Sequence, residues 1–263
     1  MTSAPLPLDV AGVEIVLCDA DGNLFPSEDP AFVASALVTN RLLAEIGVDR
    51  RFAPDELRRF AEGRNFRKAA HELAALYDVS LDPALLDRYV ETERREVTAY
   101  LGGALAPDPD VIEPLTALAQ RYRLAAVSSS STRRLDACFR ATRLDDLFPP
   151  HVRFSAEDSL AAPTSKPDPA IYAYAGAALG ADGSHAVAVE DAVAGVQSAV
   201  GAGFPTVGNL VFVAADERDA RAAALTEAGA VAIVDSWREL ADLLARTPGA
   251  TAASGRAAEP SQR

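Results

Sequence analysis

A short apolar run that ends in two carboxylates one residue apart constrains this chain more than any other feature: Val16-Leu17-Cys18-Asp19-Ala20-Asp21-Gly22-Asn23-Leu24. The segment from Glu14 to Cys18 is apolar, β-branched and too short for a helix, so it reads as a buried strand. Gly22 marks a place where the backbone bends tightly. Two acids at the carboxyl end of a buried strand cost desolvation unless a cation or a proton offsets it. A divalent metal, with one carboxylate as nucleophile and the other as proton donor, accounts for the pair. An ordinary acidic turn is the alternative, and the rest of the chain has to decide between them.

Short apolar runs recur along the sequence at Leu124–Ser128, Ala186–Glu190, Thr206–Gly208 and Ala230–Val234. Helical patterns alternate with them, at Val111–Arg121, Thr132–Arg140, Pro169–Leu179, Ala192–Ala202 and Glu217–Glu227. Such alternation predicts an α/β fold, a doubly wound, Rossmann-like parallel sheet with helices on both faces. Ligands bind beyond the carboxyl ends of strands in these sheets, which is where Asp19, Ser128 and Glu190 fall. Residues from about Phe32 to Leu101 show helical periodicity alone, and Pro54 and Pro83 stand where helices start. This interval predicts an α-helical cap domain at 29–102, inserted into a core made of 1–28 and 103–246. The composition of 247–263 predicts a disordered tail.

At 263 residues the chain has ample material for a core. Its net charge of −13 argues against nucleic acid or an anionic membrane as partner, and an anionic substrate would need a local cationic site. Charges interrupt every apolar stretch short of a membrane span, and the N-terminus lacks a basic-then-apolar signal. Cys18 and Cys138 fall in a predicted strand and a predicted helix, which favours buried free thiols over a bridge. A cytoplasmic protein is expected.

Three further segments sit at strand ends. Val127-Ser128-Ser129-Ser130-Ser131-Thr132 is a hydroxyl-rich loop before a helix, suited to an anion or simply to helix capping. In Ser165-Lys166-Pro167-Asp168-Pro169 the prolines restrain the loop that carries Lys166. An ammonium fixed there and facing inward could neutralise an attacking carboxylate and a phosphoryl oxygen; a solvated surface lysine is the plain alternative. In Val189-Glu190-Asp191-Ala192 two more acids end a strand and open a helix. They are either capping residues or hard oxygen ligands beside Asp19 and Asp21.

In this order, each at a strand end, the four segments resemble the haloacid dehalogenase superfamily of phosphotransferases, over roughly residues 13–245. The helical block is similar to the cap of the branch containing β-phosphoglucomutases and phosphoglycolate-type phosphatases. The resemblance implies a Mg2+-dependent phosphatase acting on a small phosphomonoester, a sugar phosphate or similar metabolite, through an aspartyl-phosphate. It makes Asp19 the nucleophile, Asp21 the acid and base, Ser128 and Lys166 the further catalytic groups, and Asp19, Asp21, Glu190 and Asp191 the metal site. Ser129 would help to bind the phosphate. Arg67, in the basic stretch Gly63-Arg64-Asn65-Phe66-Arg67-Lys68, aligns loosely with a phosphate-binding arginine of some relatives' caps; a solvated helix face is the alternative. Asn23 departs from the family's usual Thr or Val, and Pro26 from its Asp. Ala31 replaces the His of β-phosphoglucomutases, which weakens a hexose-phosphate mutase reading. A non-catalytic phosphate-sensing protein has only Asn23 in its favour. The oligomeric state is left open.

Overall fold

Ile15–Cys18 (β1) is apolar on both faces, as a strand covered on both sides has to be, and all four residues are buried. The computed structural model describes residues 12–61 and 64–246. The expected tail at 247–263 and Gly63 of the basic stretch lie outside the described residues. Four helices follow β1: Glu28–Glu45 (α1), Pro54–Ala61 (α2), Phe66–Leu76 (α3) and Pro83–Ala104 (α4). Pro109–Ala119 (α5) then leads to Arg123–Ser128 (β2), Thr132–Thr142 (α6) and Arg153–Ser155 (β3). The chain continues through Ala170–Leu179 (α7), Ala186–Glu190 (β4), Val193–Gly201 (α8), Thr206–Asn209 (β5), Arg218–Glu227 (α9), Ala232–Val234 (β6) and Trp237–Arg246 (α10).

The six strands form one parallel sheet in the order β3-β2-β1-β4-β5-β6. The expected doubly wound fold is therefore present. Strand order reverses beside β1, where the chain leaves toward β2 and later returns at β4, and this is the crevice such sheets use for ligands. Alternate side chains separate into two cores. Val16, Cys18, Ala126, Val187 and Val189 pack with α5, α6 and α10, whereas Ile15, Leu17, Val127, Ala186 and Ala188 pack with Ile171, Tyr172 and Ala199 of α7 and α8. Cys18 and Cys138 are buried free thiols, as expected. Among the described residues no helix is long and apolar enough to cross a membrane.

The helical insertion has small apolar clusters of its own, around Val38, Leu42 and Leu86 and around Leu43 and Leu73. Its α4 also packs against α6, and Val97 and Leu101 join the sheet-side core. Asp82 and Asn65 accept backbone N–H groups at the starts of α4 and α3, which explains both helix starts.

Two elements escape the sequence patterns. β3 is three residues long and begins with an arginine, so it offers no apolar run. Arg153 is nonetheless buried, because Asp136 accepts from it at 2.6 Å and its guanidinium lies over the Phe139 ring. α10 buries Trp237, Leu240 and Leu244 at helical spacing among charged residues. The Trp237 indole N–H donates to the Asn23 carbonyl at 3.0 Å, so α10 holds the loop that follows β1. Trp237→Ala is expected to lower unfolding free energy by about 3–5 kcal/mol, the usual cost of emptying a buried aromatic site. Urea denaturation measures this, and a midpoint unchanged from the parent would show that α10 is peripheral.

Candidate active site

The register of the sheet brings the predicted segments together. Cys18 lies beside Ala126 on one flank and Val189 on the other, so the residues just past β1, β2 and β4 share one edge. Asp19 follows β1 directly; its backbone N–H donates to Val189 O at 2.9 Å. Asn23 secures the turn. Its side-chain amide is fully buried, donates to Asp19 O at 3.1 Å and Val189 O at 3.0 Å, and accepts from Asn209 of β5 at 2.9 Å. The departure from the usual Thr or Val is thus matched by a second amide on β5. Gly22 has a φ of +83°, a left-handed conformation that glycine adopts without strain. A Cβ there would run into the Asp191 carboxylate.

Lys166 is the hub. Its side chain is 7% exposed, which removes the surface reading, and its ammonium donates to Asp19 Oδ1, to Glu190 Oε1 at 2.7 Å and to Val127 O at 2.7 Å. Tyr172 of α7 donates its hydroxyl to the same Glu190 oxygen. Ser129 turns inward within the protein, its hydroxyl accepting the Lys166 backbone N–H at 3.0 Å. Neither α6 nor α8 has a side-chain cap from the preceding serine or acids, so the capping readings of both segments fall away.

Asp19, Glu190 and Asp191 each place a carboxylate oxygen within 4.8 Å of the others, and all three are buried. One ammonium stands against three carboxyls. Burial pushes Asp19 up; Lys166 pulls it down, Glu190 pushes it up again, and its pKa reaches about 8. Burial, then Asp19 and Glu190, hold Asp191 well above the usual carboxylate range. Burial also raises Glu190, against the pull of Lys166. For Lys166 burial favours the neutral amine, but Asp19 and Glu190 outweigh it and raise its pKa. Asp191 Oδ1 is buried with no hydrogen-bond partner among the described residues. An all-oxygen donor set, excess negative charge and an unpartnered buried oxygen fit a hard divalent cation such as Mg2+. A cleft of about 190 Å3 opens on Gly22 and Asp191, walled in part by Arg58 of α2 and Arg221 of α9.

Asp21 lives in different surroundings. Oδ1 accepts from Ser27 at 2.5 Å and Arg134 at 2.8 Å, and Oδ2 from Ser130 at 2.7 Å and Ser128 at 3.3 Å. Burial alone would raise its pKa, but the Arg134 guanidinium and the hydroxyl donors prevail and lower it. Its carboxylate is not among the three that converge. Arg67 lies in the first turn of α3, paired with Asp87 at 2.6 Å, both side chains well exposed, as a solvated helix face would be. No hydrogen bond or ion pair among the described residues joins it to the strand ends. Sequence patterns did not single out Arg134, Ser130 or Tyr172. Two arginines just past the Ser128–Thr132 hydroxyl run, in so acidic a chain, were the available signal for the first.

A carboxyl whose folded pKa lies above its unfolded value keeps protons that the unfolded chain releases. Its stabilising contribution is complete below the unfolded value and is lost as pH rises through the folded one. For Asp19 that window runs from 3.8 to about 8. The melting temperature of the chelator-treated protein is therefore expected to fall between pH 5 and pH 8. Magnesium should raise it more at pH 8 than at pH 5, and Asp191→Asn should flatten both responses. A melting temperature indifferent to pH and to magnesium would contradict the charge imbalance.

A family model described as haloacid dehalogenase-like hydrolase matches residues 13–203. Similar solved structures include a conserved haloacid dehalogenase-like protein of unknown function from Agrobacterium tumefaciens, 26% identical with a TM-score of 0.65, covering 89% of this chain and 98% of that one. A haloacid dehalogenase family hydrolase from Deinococcus radiodurans, solved with bound phosphate and sodium, is 27% identical with a TM-score of 0.63, covering 89% and 98%. A β-phosphoglucomutase candidate from Thermotoga maritima is 26% identical with a TM-score of 0.65, covering 89% and 99%. No curated protein matches the sequence significantly.

Proposed function

The chain belongs to the haloacid dehalogenase-like hydrolases, and we propose that it is a magnesium-dependent phosphatase of a small phosphomonoester, a sugar phosphate or similar metabolite. The observation that carries this reading is Asp19: a buried carboxylate just past β1, held by the ammonium of Lys166 and set among Glu190 and Asp191. Lys166 fixes one oxygen of Asp19 while the other attacks phosphorus, forming an aspartyl-phosphate and breaking the bond to the leaving oxygen. Asp21 gives that oxygen its proton and later takes one from the water that hydrolyses the intermediate. Ser128, together with backbone N–H groups of the loop before α6, binds the phosphoryl oxygens. Ser129 positions Lys166. Bound by Asp19, Asp191 and the neighbouring Glu190, Mg2+ would supply positive charge to the transferring group.

The helical insertion at 29–102 serves in this reading as a cap over the strand ends, and its residues select the alcohol. The likeness to the Thermotoga candidate keeps a hexose-phosphate mutase as the second reading. Ala31, a methyl group packed against the core, offers no acid or base of the kind that reading needs.

A panel of phosphomonoesters with and without magnesium tests the proposal: phosphate release should need magnesium and stop with EDTA. Interconversion of hexose phosphates without net release would favour the mutase. Asp19→Asn should abolish turnover with the circular dichroism spectrum unchanged, because an amide is not a nucleophile here. Full activity in that variant would contradict the mechanism.

A further inference from the structure

Asn209, at the end of β5, is a fully buried amide that the proposed chemistry leaves without a task. It belongs to a run of hydrogen bonds with a fixed direction. Asp19 O and Val189 O are carbonyls and can only accept, so the Asn23 amide has to turn its Nδ2 to them, at 3.1 and 3.0 Å. Its Oδ1 then faces β5 and accepts from Asn209 Nδ2 at 2.9 Å, while Asn209 Oδ1 accepts the Val211 N–H at 3.2 Å. These bonds all run one way, from the loop after β5 to the ends of β1 and β4, and each polarises the next. Both amides are fully buried, so turning either one over would set oxygen against oxygen with no water to relieve it.

What these bonds hold is the main chain on which the acids stand. The ladder between β1 and β4 pairs Cys18 with Val189, and the Asp19 N–H on Val189 O is its last rung. The Asn23 amide adds a side-chain rung beyond it, joining the carbonyl of Asp19 to that of Val189, the residue before Glu190. Past that rung the carboxylate oxygens of Asp19, Glu190 and Asp191 converge within 4.8 Å, and like charges so close push the two strand ends apart. We propose that Asn209 is a positioning residue for the transfer reaction: by fixing the direction of the Asn23 amide it sets the spacing of Asp19 from Glu190 and Asp191, on which cation binding and attack depend. Asn23, the one feature that favoured a non-catalytic protein, then becomes half of a two-residue clasp that serves the site. The kinetic side of this role rests on the phosphatase reading, and the metal side on the acid cluster alone.

Calorimetric titration of the full chain with magnesium tests this, together with kcat and KM for p-nitrophenyl phosphate at saturating magnesium. Asn209→Asp puts an oxygen where the amide donated, so the Asn23 amide has to turn over or stand against it. Magnesium binding should weaken by about ten- to a hundredfold, the usual worth of a group that holds a metal ligand from behind. The same variant should lower kcat with KM little changed, because the serine loop that binds phosphoryl oxygens follows β2, on the other side of β1. Asn209→Leu removes the donor without the repulsion and should lose less on both counts. Trp237→Phe is the control: it takes the indole N–H from Asn23 O and loosens the same loop without touching either amide, so stability should fall while magnesium affinity stays near that of the parent. Parent-like magnesium affinity in Asn209→Asp overturns the proposal, as does an equal loss of affinity in Trp237→Phe. If Asn209→Asp does not fold, parent-like affinity and kcat in Asn209→Leu overturn it. A parent that binds magnesium yet releases no phosphate sinks the phosphatase reading, and the titration still decides the clasp. A parent that binds no magnesium sinks the cation site and the clasp together.

Discussion

Three buried carboxyls around a single ammonium is the constraint on which this structure turns. Asp19, Glu190 and Asp191 come from two adjacent strands, and Lys166 reaches them from the loop before α7. Such a cluster is unfavourable in a low-dielectric interior unless protons or a cation complete it. Much of the surrounding architecture holds it in place. Val127 O and Ser129 fix the lysine, Tyr172 fixes Glu190, and Asn23 ties the ends of β1 and β4 to β5. Gly22 and Gly195 keep space for the carboxylates, since a Cβ at either would collide with Asp191 or Glu190 respectively.

Asp19 and Asp21 are separated by one residue yet meet opposite environments. Residues i and i+2 of a strand share a face, but both acids lie past β1 around the turn in which Asn23 and Leu24 donate to Ala20 O, and Asp19 meets the carboxylate cluster while Asp21 meets the serine loop and Arg134. One is pushed to about 8 and the other is lowered. These directions are the reverse of the proposed roles, so a cation beside Asp19 has to lower its pKa for attack, and Asp21 has to gain a proton before it can act as the acid. The difference here arises from charge balance: Asp19 shares its ammonium with two other acids, whereas Asp21 accepts from a guanidinium and three hydroxyl donors.

The sheet was readable because β1, β2 and β4 are covered on both faces and so carry apolar runs, Ile15–Cys18, Leu124–Val127 and Ala186–Val189. The three-residue β3 carries a charged residue whose burial depends on partners far along the chain, Asp136 and Phe139, which no local pattern shows. α10 was hidden by its charged residues, although Trp237, Leu240 and Leu244 keep the helical period. At the site, acids at strand ends were legible since their desolvation demands an explanation. Arg134 was not, because its meaning comes from a contact across 113 residues of sequence. Lys166 lay between these cases: its prolines announced a restrained loop, and only the fold shows that the ammonium points inward.

The central claim is that excess negative charge at Asp19, Glu190 and Asp191 is borne by protons without a metal and by the metal when it binds. Calorimetric titration of the metal-free protein with magnesium at pH 7, repeated in buffers of different ionisation enthalpy, counts protons directly. The account predicts binding of one magnesium per chain with net release of protons, and little binding in Asp191→Asn. Binding without proton release, or no binding to the parent, would contradict it.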